Sequence, residues 1–155
     1  MEKIVIGVTE FLRTMEHIDY EKRLRDAGVR VTSVRLLVYK TVYEGLHNAF
    51  SLQDVMELLP HADNSSVFRA LSLFADHHLL HLIDDGTGMQ KYCVCRCGTF
   101  KCHHVHFTCT ECHETICLKD VKIPAVDVPE GYVVEEAEFV VKGLCPKCRG
   151  RRGMA

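Results

Sequence analysis

Two pairs of cysteines, Cys109-Thr110-Glu111-Cys112 and Cys145-Pro146-Lys147-Cys148, carry the strongest chemical signal in the chain. A CxxC turn aims two thiolates at one point, and two such turns complete the tetrahedral S4 shell that Zn²⁺ prefers. The thirty-two residues between the pairs exceed the usual ribbon spacing, so they must fold into structure that returns to the first turn. Redox pairs or a disulfide staple are the competing reading. A disulfide needs an oxidising compartment, and no feature of the sequence targets one. Cys109, Cys112, Cys145 and Cys148 are therefore expected to hold one structural Zn²⁺ per chain.

The elements that must position such a site come from an ordinary protein composition. The chain has 155 residues, 47% hydrophobic and 26% charged, enough for one domain of usual size or two small ones with a real core. Ile4-Val5-Ile6 is too short for a signal-peptide core, Glu2 opposes a positive leader, and no apolar run approaches bilayer-spanning length. A cytoplasmic protein with no membrane partner is expected. In that compartment nine cysteines and ten histidines point to metal rather than disulfides. Net charge is −2, and residues 1–90 carry nine Lys/Arg against thirteen Asp/Glu. Any nucleic-acid binding must then come from a local patch and not from a global field.

Read in order, residues 10–27 have helical character and stop at Gly28. Thr32 is placed to cap a second helix with Val34, Leu37, Val38, Thr41 and Val42 as its apolar face, ending at Gly45. Ser51 with Asp54 resembles a capping box for a third helix, which Pro60 ends. A fourth helix begins at Asn64, with Val67, Ala70, Leu71 and Phe74 on one side and Ser65, Phe68, Arg69 and Ser72 on the other. An aromatic beside an arginine on a solvent stripe has two readings. It is an incidental exposed Phe, or it is a recognition helix with Phe68 on thymine methyls or sugars and Arg69 on phosphate or guanine.

Leu79–Asp84 and Met89–Val94 are expected as strands around the turn Asp85-Gly86-Thr87-Gly88. Helices followed by such a hairpin make a winged helix-turn-helix. Cys95-Arg96-Cys97-Gly98 reads as the start of a hinge. Beyond it, Val105–Cys109 and Glu114–Leu118 flank the first CxxC turn as a second hairpin, and Tyr132–Gly143 is expected as a longer strand delivering the second. The tail from Arg149 reads as loose. The expected fold class is α+β. A winged helix-turn-helix DNA-binding domain at 1–94 and a hinge at 95–102 precede a small α/β zinc-containing dimerisation domain at 103–155.

At this point the residues match a known family. The helices, the wing and the paired CxxC turns resemble the ferric uptake regulator (Fur) family of bacterial metal-dependent repressors. The resemblance runs from about Ala27 to Cys148 and is carried by Gly28-Val29-Arg30-Val31-Thr32-Ser33-Val34-Arg35, Ser66-Val67-Phe68-Arg69-Ala70-Leu71, His103-His104-Val105-His106 and Gly143-Leu144-Cys145-Pro146-Lys147-Cys148. It implies a homodimer joined by the C-terminal domain. It also implies a sensor metal at the domain junction that fixes the angle of two winged helices over the half-sites of a double-stranded operator. The chain departs from the family pattern in several places. Ser66 and Phe68 replace the usual Thr and Tyr, with the loss of a phenolic hydroxyl that could bond phosphate. Pro124 and Pro129 interrupt a segment that is helical in many members. Val105 replaces Asp in the HHDH run, and Ala137 stands near a frequent His, which argues against an auxiliary metal site built from those two positions.

Strand geometry supports a second metal site. If Asp84 pairs with Gln90, His81 lies opposite Cys93; if Cys109 pairs with Glu114, His106 lies opposite Cys117, and His104 shares its face. Directly opposed Cβ atoms sit roughly 4.5–5.5 Å apart, close enough to share a metal. His81, Cys93, His104, His106 and Cys117 thus form two half-sites facing one hinge. Taken singly, His81 reads as a surface residue and Cys117 as a core cysteine. Cys95, Cys97 and Cys102 lie close by and could join the site, form another or be redox-reactive; His47, His61, His77, His78 and His113 read as surface residues.

A metal-sensing repressor of metal-uptake genes is the leading function, most like the zinc uptake regulator (Zur) branch of the resembled family. Thiolates at Cys93 and Cys117, where iron-sensing members favour carboxylates, suit Zn²⁺ better than Fe²⁺ or Mn²⁺. An iron- or peroxide-responsive regulator of the same family is the alternative. A zinc hydrolase is disfavoured by the lack of HExxH, of a positioned base and of an open coordination position, so neither catalysis nor a small-molecule substrate is expected. A metal buffer that never meets DNA is disfavoured by Arg30, Arg35 and Arg69. With Ser65, Ser66 and Phe68 these form the candidate DNA-binding set.

Overall fold

The structure is a computed structural model that describes residues 18–96, 105–118, 120–135 and 137–153. Residues 1–17, 97–104, 119, 136 and 154–155 lie outside the described residues, and with them most of the segment 95–102 expected as a hinge. Cys97, Cys102 and His104 are among them.

Four helices come first: α1 (Tyr20–Asp26), α2 (Ser33–Gly45), α3 (Leu52–Leu58) and α4 (Asn64–Asp76). Each begins where a polar side chain can accept a free N–H of the first turn. Asp19 accepts from Lys22, Thr32 from Arg35 and Asp63 from Ser66, while Ser51 and Asp54 complete a reciprocal capping box. Gly28 ends α1 with a φ of +77°, a conformation an L side chain resists, and its N–H donates to the Arg25 carbonyl.

The helical core gathers Leu24, Val38, Tyr39, Val42, Val55, Val67, Leu71 and Phe74. On α4 the buried side is the expected one: Val67, Ala70, Leu71 and Phe74. On α2 the expectation needs correction. Val34 and Leu37 are exposed at 46% and 51%, and Tyr39 is fully buried in their place. Tyr39 can enter because its hydroxyl accepts a hydrogen bond from Arg23 Nε at 3.1 Å, and its ring packs edge-on against Phe74 and Tyr20. A phenol whose hydroxyl has a part-buried partner takes the inward position two residues on from Leu37.

The wing hairpin pairs β1 (Leu80–Ile83) with β2 (Lys91–Val94). Alternation divides it into two faces. Leu80, Tyr92 and Val94 join the helical core, and Phe50 adds a bridge to Tyr92 through paired backbone bonds of 2.8 and 2.9 Å. The other face carries His81, Ile83, Lys91 and Cys93.

The C-terminal sheet has the order β4-β3-β5, with β3 (Val105–Cys109) antiparallel to β4 (Thr115–Leu118) and parallel to β5 (Phe139–Gly143). The long strand expected over Tyr132–Gly143 is thus shorter: Pro129–Tyr132 forms a turn, and only the last five residues pair. The tail expected to be loose is instead α5 (Pro146–Arg152). Pro146 presets its first turn, and the Cys145 sulfur accepts the Cys148 N–H, so the second CxxC turn itself nucleates the helix. No helix among the described residues is long and apolar enough to cross a membrane.

Candidate metal centres and nucleic-acid interface

The S4 cluster is assembled by the β3–β4 turn and the β5–α5 junction. Cys109, Cys112, Cys145 and Cys148 offer sulfurs that all lie within 4.8 Å of one another, and Cys112 Sγ is 3.9 Å from Cys145 Sγ. Four thiolates on Zn²⁺ at about 2.3 Å define tetrahedral edges of about 3.8 Å, so the donor set fits that ion. Backbone N–H groups are aimed at the sulfurs: Cys145 N–H lies 3.4 Å from Cys109 Sγ. Those of Cys112 and Cys145 hold the Cys109 thiol down to about 6, whereas the neighbouring Cys145 sulfur and burial push Cys148 up to about 12. Four crowded thiols cannot all ionise without a cation, so metal binding here releases protons.

The second cluster lies between the wing and the C-terminal sheet. In the observed registers His81 opposes Cys93 and His106 opposes Cys117, and Cys109 N–H bonds the Glu114 carbonyl at 2.9 Å. His81, Cys93 and His106 bring donor atoms within 4.8 Å of one another, each half from a different hairpin. His81 Nε2 is 3.2 Å from His106 Nε2, close to the tetrahedral edge of about 3.3 Å that two imidazoles at 2.0–2.1 Å from one Zn²⁺ would span. Cys117 Sγ is 2.7 Å from Cys93 Sγ. Two sulfurs on one zinc stand about 1 Å farther apart, a spread that a modest side-chain rotation supplies. The adjacent Cys117 sulfur and burial hold the Cys93 thiol well above its ordinary range.

One neighbour was legible in the sequence only as a loose possibility. Cys95 Sγ lies 3.3 Å from His81 Nδ1, on the side of the ring away from His106. A metal-bound imidazole usually engages its second nitrogen in such a contact, which orients the ring. Burial pushes the Cys95 thiol up to about 11. Of the histidines expected at the surface, His47, His61, His78 and His113 are exposed. His77 is not: it is half-buried, with Nδ1 2.8 Å from the Ala27 carbonyl.

Of the candidate DNA residues, Arg30, Ser65, Phe68 and Arg69 are exposed, and Arg35 and Ser66 are half-buried. On α4, Phe68 is 44% exposed, Ser65 and Arg69 are exposed, and Arg69 reaches Ser66 Oγ at 3.4 Å. Arg30 is exposed ahead of α2, and the Arg35 guanidinium donates to the Arg30 carbonyl at 2.9 Å, which ties the two positions together.

Comparison with known proteins matches this arrangement. The ferric uptake regulator family model matches residues 26–142. The chain is 26% identical over 138 residues to the ferric uptake regulation protein 2 of Mycolicibacterium fortuitum, covering 84% of this chain and 92% of that protein. The structure of the ferric uptake regulator from Pseudomonas aeruginosa with manganese superposes with a TM-score of 0.62 at 20% identity, over 83% of this chain and 99% of that one. A zinc uptake regulator complexed with zinc and DNA superposes with a TM-score of 0.57 at 21% identity, over 86% and 92%. By its paired thiolate turns, its winged helices and a family match over most of its length, this chain belongs to the ferric uptake regulator family of metal-responsive, DNA-binding transcriptional regulators.

Proposed function

We propose that this chain is a zinc-sensing repressor of metal-uptake genes, working in the cytoplasm as a homodimer on a double-stranded DNA operator. The observation that carries the reading is the junction cluster, in which His81 and Cys93 come from the wing and His106 and Cys117 from the C-terminal sheet. His104 remains a candidate fifth donor. A ligand set divided between two units is satisfied only when they are docked, so metal favours one angle between them. β1 follows α4 directly, with the Leu79 N–H on the Phe74 carbonyl at 2.9 Å, so an angle fixed at the wing is passed to α4. Arg30, Arg35, Ser65, Ser66, Phe68 and Arg69 are then the DNA contacts, arginines on phosphate or guanine and Phe68 against sugar or thymine methyl.

Donor chemistry favours zinc. Two thiolates and two imidazoles bind Zn²⁺ far more tightly than Fe²⁺ or Mn²⁺. The second reading, iron sensing, is favoured by the names of the relatives, such as the ferric uptake regulation protein of Bacillus subtilis (strain 168). The S4 cluster is assigned a structural zinc, one per chain. The dimer surface is assigned to the C-terminal unit, where Val126, Tyr132, Val133 and Val141 leave apolar side chains in solvent.

The test is elemental analysis combined with zinc binding to His81→Ala and Cys93→Ala. Both variants should keep one zinc per chain in the S4 cluster and lose the second. A second zinc retained by both would overturn the junction-site reading.

A further inference from the structure

We propose that Lys91, Asp85 and Thr115 form a metal-independent latch between the wing and the C-terminal sheet, one that positions the junction ligands and connects them to the S4 cluster. The inference rests on the proposed metal role of the junction and adds the residues that hold its two halves in register.

All three residues are buried, and the hydrogen-bond accounting closes. An ammonium has three donors. Lys91 Nζ meets three acceptors: Asp85 Oδ2 at 2.6 Å, the His113 carbonyl at 2.6 Å and Thr115 Oγ1 at 3.2 Å. The Thr115 hydroxyl donates to Asp85 Oδ2 at 3.0 Å, and buried Thr108 lies 3.0 Å from the same hydroxyl. Asp85 Oδ1 accepts from the N–H and hydroxyl of Thr87 at 3.0 and 2.6 Å, which fixes it in the wing turn. Side-chain exposure is 10% for Lys91 and 0% for Asp85. A satisfied buried network of this kind adds little stability over apolar packing, but it admits one register and penalises others.

Its place in the fold gives it a role. Lys91 is two residues before Cys93 on β2, Thr115 two before Cys117 on β4, and Thr108 two after His106 on β3, so each shares a face with a junction ligand. The latch is a layer about 7 Å along the strands from the ligand layer. Ala49 N–H on the Thr115 carbonyl at 3.2 Å ties the same strand to the helical unit. Lys142, which shares the Thr108 face through its β5 register, lies over Gly86, where an added Cβ would meet Nζ at 2.5 Å.

The latch also reaches the S4 cluster. His113 follows Cys112, holds a φ of +58° and returns its N–H to the Cys109 carbonyl at 3.0 Å. The carbonyl that Lys91 grips is therefore set by the turn that presents Cys109 and Cys112. Metal in the S4 cluster fixes that turn, and the latch carries the constraint to the wing.

The test uses the full-length chain with its S4 zinc retained and the junction metal removed, then titrated with Zn²⁺ against a chromophoric chelator. Lys91→Met should raise hydrogen exchange of wing and β4 amides in the junction-metal-free state and weaken junction zinc binding about tenfold, the loss of a charged buried hydrogen-bond set. Thr115→Val, a milder change that keeps the ion pair, should move both readouts in the same direction by less and serves if Lys91→Met does not fold. His81→Ala should lose junction zinc while leaving that exchange unchanged. Folded latch variants with wild-type exchange and wild-type zinc affinity, beside a His81→Ala that loses the metal, would overturn the latch alone. A His81→Ala that keeps the second zinc would overturn the junction reading, and the positioning role with it.

Discussion

At the scale of single residues, the junction is where side-chain identity matters most. His81 presents one ring nitrogen to His106 and the other to Cys95, so its orientation is fixed from both sides. Cys95→Ala should then leave junction zinc in place but weaken it, since second-layer contacts to a ligand typically change affinity 10–100-fold. Chelator competition measures this, and a complete loss would instead make Cys95 a direct ligand. The arginines act on a different partner. Arg69→Ala should weaken operator binding with zinc content unchanged. Arg35→Ala should reduce the salt slope of binding by roughly one if its guanidinium contacts phosphate. Unchanged affinity in alanine variants of Arg30, Arg35 and Arg69 would remove α4 and its flank from the DNA interface.

At the scale of elements, the S4 cluster organises the C-terminal sheet. β3, its turn, β5 and α5 converge on four sulfurs, and Cys148 is buried among them. Cys109→Ser should lose the structural zinc and, with it, the cooperative folding of this unit, since binding free energy at such a site is folding free energy. Far-UV circular dichroism with elemental analysis checks it; a folded, dimeric, zinc-poor variant would contradict it. The helical unit stands on packing instead, and Phe74→Ala, at a fully buried position, should cost about 3–5 kcal/mol in denaturant unfolding. Much of this was legible beforehand, because caps such as Thr32 and Ser51 and the α4 stripe depend on local spacing alone. The strand registers, assumed from the sequence with a one-residue slip left open, are the observed ones: the Gly-bearing turn sets the wing and the CxxC turn sets the second hairpin. What escaped was tertiary. Tyr39 displaces Leu37 because Arg23, on another helix, satisfies its hydroxyl. The helix at the chain end depends on a cysteine sulfur acting as a cap. The Lys91–Asp85 pair lies within the wing and reaches the other hairpin through Thr115 and the His113 carbonyl, and neither charged residue stands out in a sequence where charged positions are common.

At the scale of the molecule, the proposed junction site would make metal, docking and DNA one linked equilibrium. Ligands from two units make tight metal binding conditional on docking, and an operator that selects the docked form must strengthen metal binding by the same factor, typically 1–3 kcal/mol. Acidity acts on this through the ligands. Thiolates and imidazoles bind only when deprotonated, so junction zinc affinity should fall as pH drops through the histidine range. The contact between units should not follow. Burial works against the charge on Asp85, yet hydrogen bonds from Lys91, Thr87 and Thr115 prevail and hold it well below the usual carboxylate range. A carboxylate with a depressed folded value contributes stability that is present above its unfolded value of about 3.9 and lost as pH falls through the folded one. Between pH 6 and 8 the protection factors of wing amides, exchange corrected for its intrinsic pH dependence, should therefore stay constant while zinc affinity changes.

The most direct measurement is operator binding by the full-length protein titrated against buffered free Zn²⁺ and, separately, against anaerobic Fe²⁺, for wild type and Cys93→Ala. Zn²⁺ should switch wild type to tight binding at far lower free concentration than Fe²⁺, and Cys93→Ala, still carrying its S4 zinc, should require much more. A wild type that answers Fe²⁺ and not Zn²⁺, or a Cys93→Ala that binds the operator at wild-type zinc levels, would contradict zinc sensing at the junction.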